Sequence, residues 1–275
     1  MGETWFPPFG YSRIVGQDEK LRLGGMALAN GVLVHGPTSW GAAVRLPNGD
    51  LRVAGAKKRF VAADLDRPIL RGPARLVEAF AVLPQMRRAL PPARLPFERP
   101  AVIGAMLASA SLVRRVRASS RLGPLTRELV SSVLALAPAA VALRGSDLAA
   151  YHGAEHVAIG TYEHGGDRGK EHERCGSHLL GPLLLASAAG RLATSRLAGP
   201  LAGVARAAVA VAAVAVATEL FVWMVRHPDH PLSEALAKPG HELQHRIATA
   251  DPTPEQLEVA RAALAECLRL EVESA

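Results

Sequence analysis

The sequence predicts a mainly α-helical, membrane-associated protein with a small antiparallel β unit near its N-terminus. Apolar residues make up 49% of the 275 residues and the mean hydropathy is +0.14, which is high for a soluble protein. Four long apolar runs follow residue 100, whereas short apolar runs separated by glycines precede it. Aromatic residues amount to only 4%, and Ala-rich helices can pack closely in lipid without large aromatic anchors.

The β unit is predicted between Met26 and Ala54. Valine and leucine alternate with Arg45 and Arg52 on the two sides of a turn at Pro47–Asp50. This pattern is typical of a β-hairpin with one apolar and one basic face. The basic triplet at 57–59 follows the hairpin, and a run of charges of this kind indicates a solvated loop.

A helix is predicted over Pro73–Leu83, with Leu76 and Phe80 on its apolar stripe and Glu78 opposite. Pro84 and the proline-rich stretch from 91 to 100 break this pattern, which indicates a domain boundary. The chain then divides into three predicted regions: a cytoplasmic hairpin-plus-helix region over 1–95, an apolar helical region over 96–226 that contains the motif segment 151–177, and polar C-terminal helices over 227–275.

The apolar runs of the second region are candidates for membrane contact; they are Ala101–Val113, Leu129–Leu143, Leu179–Gly190 and Ala207–Val225. Only the last approaches the roughly 20 residues that a membrane span requires. That run contains Glu219, and a carboxylate in an apolar helix is costly unless it is paired or ligated. Glu219 is therefore a candidate partner for metal-site histidines, with an ion pair to Arg206 or Arg226 as the alternative.

The net charge of +7 and the isoelectric point near 10 fit either a nucleic-acid-binding protein or a protein at an anionic lipid surface. The arginines flank apolar runs and no nucleic-acid-binding motif is present, so the lipid bilayer is the expected partner and nucleic acid is not. The first ten residues lack the pattern of a signal peptide. Two widely separated cysteines fit a reducing compartment, and a homo-oligomer is left open.

The densest group of metal-ligand residues lies between Tyr151 and Ser177. His152, Glu155 and His156 spell H-x-x-E-H, which on a helix places two imidazoles one turn apart with the carboxylate beside them. His172 and Cys175 follow as H-x-x-C. Imidazole and thiolate both suit zinc, although another divalent metal could occupy such a site.

Two functions are compatible with these four candidate ligands. If three of them bind and a water takes the fourth position, Glu155 can act as the general base of a metal-dependent hydrolase. If all four bind, the site is closed and structural, as in a non-enzymatic membrane scaffold or assembly factor. The sequence leaves both functions open.

The block Tyr151–His156, followed by the block His172–Ser177, resembles the signature of the YqhQ-like family, bacterial membrane proteins described as predicted metal-dependent enzymes. Further blocks from Gly24–Gly25 to the C-terminal helix resemble the family in the same order. The resemblance implies a bacterial cell membrane location with an unknown substrate. The family usually has a glutamine, a glutamate and an arginine at the positions of Met26, Asn30 and His35. If those positions bind substrate in the family, the resemblance implies a different substrate for this chain, or none.

A second motif occurs near the C-terminus, where His241, Glu242 and His245 spell H-E-x-x-H. This order is typical of zinc metallopeptidases, with the two histidines as ligands and the glutamate as base. The family resemblance does not include these residues. A metallopeptidase built on them is therefore a separate alternative.

The final helix is predicted to begin after Thr253, with Pro254 in its first turn and Gln256 completing a capping box. Leucine and alanine residues line one side of this helix, and Cys267 falls among them. Cys267 is therefore expected to pack as an apolar residue and not to bind metal.

Overall fold

The computed structural model describes residues 20–60, 62, 67–144, 146–172, 174–194 and 201–273. These residues form four strands: β1 (Gly24–Leu28), β2 (Gly31–His35), β3 (Ser39–Arg45) and β4 (Leu51–Lys57). They also form helices α1 (Arg71–Ala89), α2 (Pro100–Ala118), α3 (Pro124–Leu143), α4 (Asp147–His164), α5 (Leu180–Thr194), α6 (Leu201–Arg226), α7 (Pro231–Leu243) and α8 (Pro254–Val272). The prediction that no signal peptide opens the chain lies outside the described residues.

The four strands form one antiparallel sheet in the order β1-β2-β3-β4. The predicted hairpin is the β3–β4 pair, and its turn includes Gly49 with a φ of 89°, a conformation that glycine adopts without strain. Two further strands, β1 and β2, precede this hairpin in the chain, and β2 pairs with β3 to extend the sheet. The expected mainly helical fold with a small antiparallel β unit is thus confirmed. The predicted alternation fails at Val53, which is 44% exposed because β4 is an edge strand.

The sheet is covered by helices on both faces. On one face, Val32, Val34 and Ala43 share a core with α4 and α8. On the other face, Leu33 and Trp40 pack with residues of α1. The core that contains α4 therefore draws residues from all three regions of the sequence-based division.

Helix α8 lies directly on β3. A Cβ atom on Gly41 would lie 2.5 Å from the Ala263 carbonyl oxygen, so glycine permits the close approach of helix and strand. The capping box is confirmed, because the Gln256 amide donates to the Thr253 hydroxyl at 3.3 Å and the Gln256 side chain accepts from the Thr253 amide at 3.0 Å. Cys267 is fully buried and packs with the apolar residues of this core, as predicted.

Helix α1 is longer than predicted and is rotated relative to the predicted apolar stripe. Pro84 lies inside the helix and does not end it. Leu76 and Phe80, which were expected to pack inward, are 46% and 55% exposed. Glu78, which was expected to face solvent, is buried. An ion pair of Glu78 accounts for this orientation.

Lys58 is the partner of Glu78. Its ammonium group donates to Glu78 Oε1 at 2.5 Å, and the lysine side chain is 2% exposed. The prediction of a solvated loop at 57–59 is therefore wrong for Lys58. Both members of a buried ion pair must stay in place, because removal of one leaves an uncompensated charge that costs about 3–5 kcal/mol. Burial, together with the nearby Lys58 charge, also lowers the pKa of His35 to about 4, so this histidine is neutral at pH 7.

All four predicted apolar runs are helical, and they correspond to α2, α3, α5 and α6. Among the described residues, Leu125–Leu143 and Ala202–Arg226 are long and apolar enough to cross a membrane, by length and composition. Large apolar side chains are exposed on all four helices α2, α3, α5 and α6. They include Ile103, Leu107, Leu129, Val133, Leu185, Val204 and Val211. The exposed face of α1 adds to this apolar surface.

Glu219 on α6 is paired with α1. Its carboxylate accepts two hydrogen bonds from the Arg71 guanidinium, at 2.9 and 2.5 Å, and one from the Ile69 amide at 3.1 Å. A Cβ atom on Gly72 would lie 1.8 Å from the Thr218 hydroxyl, so the two helices touch at this point. Of the two roles expected for Glu219, the structure shows the ion pair. Its partner is Arg71 in place of Arg206 or Arg226.

Candidate metal centre

Helix α4 carries the first motif. The helix follows Ser146 and ends at Gly165, whose φ of 73° is a left-handed conformation that suits glycine. Glu155 and His156 are 6% and 3% exposed. The rings of His152 and His156 have centroids 4.4 Å apart. The i, i+4 spacing therefore brings the two imidazoles together on one face of α4, as the motif predicts.

Two backbone carbonyls orient the two imidazole rings. His152 Nδ1 lies 2.8 Å from the Ala248 carbonyl oxygen, and His156 Nδ1 lies 2.7 Å from the Lys170 carbonyl oxygen. A carbonyl oxygen can only accept, so each Nδ1 carries the proton and each Nε2 keeps its lone pair. Burial lowers the pKa of His156 to about 3, so this ring is neutral at pH 7, as a metal ligand must be.

Cys175 completes the group from a separate segment. Its Sγ lies 3.6 Å from His152 Nε2, and ligand atoms of His152, His156 and Cys175 all lie within 4.8 Å of one another. Nitrogen and sulfur ligands of a tetrahedral zinc ion are about 3.6 Å apart, from bond lengths of about 2.1 and 2.3 Å. The distance between Cys175 Sγ and His152 Nε2 therefore fits two ligands of one metal ion. Burial raises the pKa of the Cys175 thiol, so in this position a metal ion would have to displace its proton.

Glu155 lies beside these three side chains. Its Oε2 is 4.0 Å from His152 Nε2. A Cβ atom on Gly25 would lie 2.2 Å from Glu155 Oε1, so a glycine in β1 is required where the carboxylate rests against the sheet. Burial raises the pKa of Glu155 to about 7, against an opposing effect of His152. This carboxylate is therefore poorly solvated and lies within reach of a group bound next to the histidines.

His172, the fourth predicted ligand, lies next to the group but has other partners. Its ring centroid is 5.6 Å from that of His156. Its Nε2 lies 3.1 Å from Glu163 Oε2, and its Nδ1 accepts the Arg174 amide at 3.2 Å. Arg174 also pairs with Glu163 through its side chain. Both ring nitrogens of His172 are thus already engaged, and the structure brings together three of the four predicted ligands.

Gln244 holds the segment that carries Cys175. This side chain is 1% exposed. Its Oε1 accepts the His172 amide at 3.0 Å, and its Nε2 donates to the His172 carbonyl at 3.3 Å and to the Ser177 hydroxyl at 2.7 Å. Gln244 therefore holds the backbone of His172 and the side chain of Ser177, one on each side of the cysteine.

The π-helical turn Gln244–Ala248 also places the carbonyl that orients His152. The turn closes with the Thr249 amide donating to the Gln244 carbonyl at 3.2 Å, and Ala248 then presents its carbonyl oxygen to His152 Nδ1. A Cβ atom on Gly153 would lie 2.1 Å from the Ala250 carbonyl oxygen, so this segment runs against α4. One turn of the chain thus positions two of the three candidate ligands.

The second motif overlaps this turn, but its own residues face elsewhere. His241 Nδ1 and His245 Nδ1 lie 3.6 and 2.7 Å from the Glu171 carboxylate. Glu242 is paired with Arg246 at 2.7 Å. The two histidine side chains are 55% and 64% exposed. Within the described residues, the only group of three or more that could hold a metal ion is the one formed by His152, His156 and Cys175.

Sequence reasoning did not identify Gln244, Gly25 or Glu163 as parts of this site. Gln244 lies inside the H-E-x-x-H motif, in which the two histidines are the expected ligands and the position of Gln244 has no assigned role. Glu163 lies seven residues after His156 and is therefore on the same face of α4, a signal that the sequence does contain. The contact of Gly25 with Glu155 depends on the packing of β1 against α4 and has no local signal.

Comparison with known proteins finds one family model that is similar to part of the chain. Residues 145–270 match the model of a family described as a protein of unknown function, DUF1385. This match extends from the start of α4 to the last turn of α8 and includes all three side chains of the candidate metal centre. No curated protein and no solved structure matches the chain. The resemblance to the YqhQ-like family remains an expectation.

Gln244→Leu tests the role of the π-helical turn. The substitution removes the three hydrogen bonds that fix the segment around Cys175, and loss of such supporting contacts typically lowers metal affinity about 10- to 100-fold. The affinity for zinc is measured by competition with a chelator on the detergent-purified chain. The matched control is His245→Gln, one residue away and exposed, which should leave the affinity unchanged. A loss in His245→Gln with none in Gln244→Leu would instead support the second motif.

Proposed function

We propose that this chain is a membrane-associated, metal-dependent hydrolase. The observation that carries the proposal is the convergence of two oriented imidazoles and one thiol, with a buried carboxylate 4.0 Å from the nearer imidazole nitrogen. Three protein ligands leave one position of a tetrahedral ion for water or substrate, and this is the arrangement of catalytic zinc sites. The substrate is unknown, and zinc is the metal that this donor set favours.

In this proposal each residue has a separate role. His152, His156 and Cys175 hold the ion, and the carbonyls of Ala248 and Lys170 fix the two rings. Glu155 accepts a proton from a water molecule next to the ion and later returns a proton to the leaving group. A bound divalent ion would supply Lewis acidity toward that water and toward a carbonyl or phosphoryl oxygen of the substrate.

A second function is a structural metal site in a membrane scaffold or assembly factor. One observation favours it: His152 and Cys175 come from two separate segments of the chain, and their ligand atoms lie 3.6 Å apart. An ion bound between α4 and the loop before α5 would cross-link them and contribute directly to folding. In this case Glu155 would have no chemical role.

The bilayer is proposed as the surroundings of α2, α3, α5 and α6. Large apolar side chains are exposed along all four helices, and α3 and α6 are long enough to cross a membrane. Exposed apolar surface of this extent is typical of membrane or partner contact. The expected location is a bacterial cell membrane with the sheet in the cytoplasm, and self-association remains open.

Extraction of membranes with alkaline carbonate tests this placement. We expect the expressed chain to stay in the membrane pellet, because exposed apolar helices are held by lipid and not by charge. A peripheral protein expressed in the same cells provides the control for complete extraction. Recovery of the chain in the soluble fraction, in a folded and monodisperse form, would contradict membrane embedding.

The open site of a hydrolase and the closed site of a scaffold can be distinguished with cobalt(II). The cobalt-loaded chain is titrated with acetohydroxamate, which binds a metal only where a position is open. We expect a saturable change of the visible spectrum in wild type and in Glu155→Gln. Turnover of a panel of ester, amide and phosphate-ester substrates should fall at least roughly 100-fold in Glu155→Gln, since a general base contributes about that much.

Glu242→Gln is the matched control, because Glu242 belongs to the second motif and is paired with Arg246. It should keep both the spectrum and the turnover of wild type. A wild-type spectrum that does not respond to acetohydroxamate would reject the hydrolase in favour of the structural site. Turnover that survives in Glu155→Gln but is lost in Glu242→Gln would favour the metallopeptidase alternative.

A further inference from the structure

An arginine-lined cavity lies where the α2–α3 hairpin joins the rest of the chain. It has a volume of about 700 Å³. Its wall includes Arg87 near the end of α1, Arg94 and Arg99 in the segment before α2, and Ser146 and Asp147 at the start of α4. The residues that line this cavity do not include His152, His156 or Cys175.

The arginines of this cavity have donors to spare. Arg87 donates to Glu98 at 3.0 Å, and the same Glu98 oxygen accepts the Leu95 amide at 2.9 Å. Arg99 donates to the Ala142 carbonyl at 3.0 Å. The Arg94 guanidinium forms no ion pair with any described residue, although the Arg94 amide is fixed by Asn30 at 2.9 Å. A guanidinium has five N–H donors, so each of these groups can donate hydrogen bonds to a further anionic partner.

A second cavity continues the basic lining. It has a volume of about 340 Å³, shares Ser146 and Asp147 with the first, and adds Arg144 and Arg246. Five arginines but only two carboxylates, Glu98 and Asp147, therefore line the two cavities together. Arg246 is paired with Glu242, which lies outside the lining. The two neighbouring cavities thus keep an excess of positive charge.

We infer that these two neighbouring cavities bind an anionic phosphate group, carried by a phospholipid headgroup or by a soluble phosphate ester. A guanidinium matches phosphate oxygens through two parallel hydrogen bonds, which lysine cannot reproduce. The location favours the lipid source, because α2 begins at Pro100 and its exposed apolar residues start at Ile103. A bilayer around the hairpin would place the cavity at headgroup depth, where arginines are favoured. Only this choice of source rests on the proposed membrane association.

The double variant Arg94→Gln with Arg99→Gln tests the inference on the full chain in a non-ionic detergent. Calorimetric titration uses dihexanoyl-phosphatidylglycerol and glycerol phosphate as probes. We expect saturable binding to wild type, weakened about tenfold or more in the double variant, because two charge-assisted contacts are lost. The matched control is Arg52→Gln with Arg261→Gln, two exposed arginines outside the cavities.

The outcomes separate the two sources and the alternatives. Binding of both probes assigns a phosphate site that a soluble ester can fill, and binding of the lipid alone assigns a headgroup site. No saturable binding of either probe to wild type would overturn the inference, as would an equal loss in the control pair. Metal content should be unchanged in the double variant, so failure here is distinguishable from failure of the proposed hydrolase.

Arg94→Gln alone guards against a folding defect, because Arg99 also donates to a helix carbonyl. The single variant removes a guanidinium that forms no ion pair with the described residues, so its unfolding temperature should equal that of wild type. Its affinity for the bound probe should fall about threefold. An affinity equal to that of wild type would contradict the assignment of Arg94 to the site.

Discussion

The hydrogen bonds from two imidazoles to two backbone carbonyls are the constraint on which the candidate site depends. The carbonyl of Ala248 holds His152 and the carbonyl of Lys170 holds His156, at 2.8 and 2.7 Å. Each bond fixes both the tautomer and the direction of a ring, so that both free nitrogens meet the sulfur of Cys175. Neither carbonyl belongs to α4, and the site therefore exists only when the segments after α4 and after α7 are folded against it.

The fold supports this arrangement through close backbone contacts. Helix α4 packs against both the sheet and α8, and glycines at 25 and 153 allow a carboxylate and a carbonyl to approach where any side chain would collide. The turn at Gln244 then fixes the loop that carries Cys175. The apolar helices α2, α3, α5 and α6 extend from this body with exposed leucine and valine side chains. A candidate metal centre and an exposed apolar surface thus belong to one chain.

The sequence predicted what depends on local spacing and missed what depends on tertiary partners. The i, i+4 histidines, the four apolar helices and the capping box of α8 follow from periodicity and appear as expected. The burial of Lys58 and Glu78 does not follow from periodicity, because a charged residue is assigned to solvent unless its partner is known. For Glu219 a partner was expected, but Arg71 was not identified as that partner because it is far away in the sequence. Gln244 was missed because it contributes hydrogen bonds to His172 and Ser177 and no ligand atom.

The central claim is that His152, His156 and Cys175 hold one divalent metal ion, and metal content per chain tests it most directly. Elemental mass spectrometry is applied to the detergent-purified wild type, to His152→Ala and Cys175→Ala, and to His164→Ala as an exposed control on the same helix. We expect about one ion per chain in wild type and the control, and less than roughly a tenth of that in the two ligand variants. A wild-type chain without metal, or ligand variants that retain it, would contradict the account.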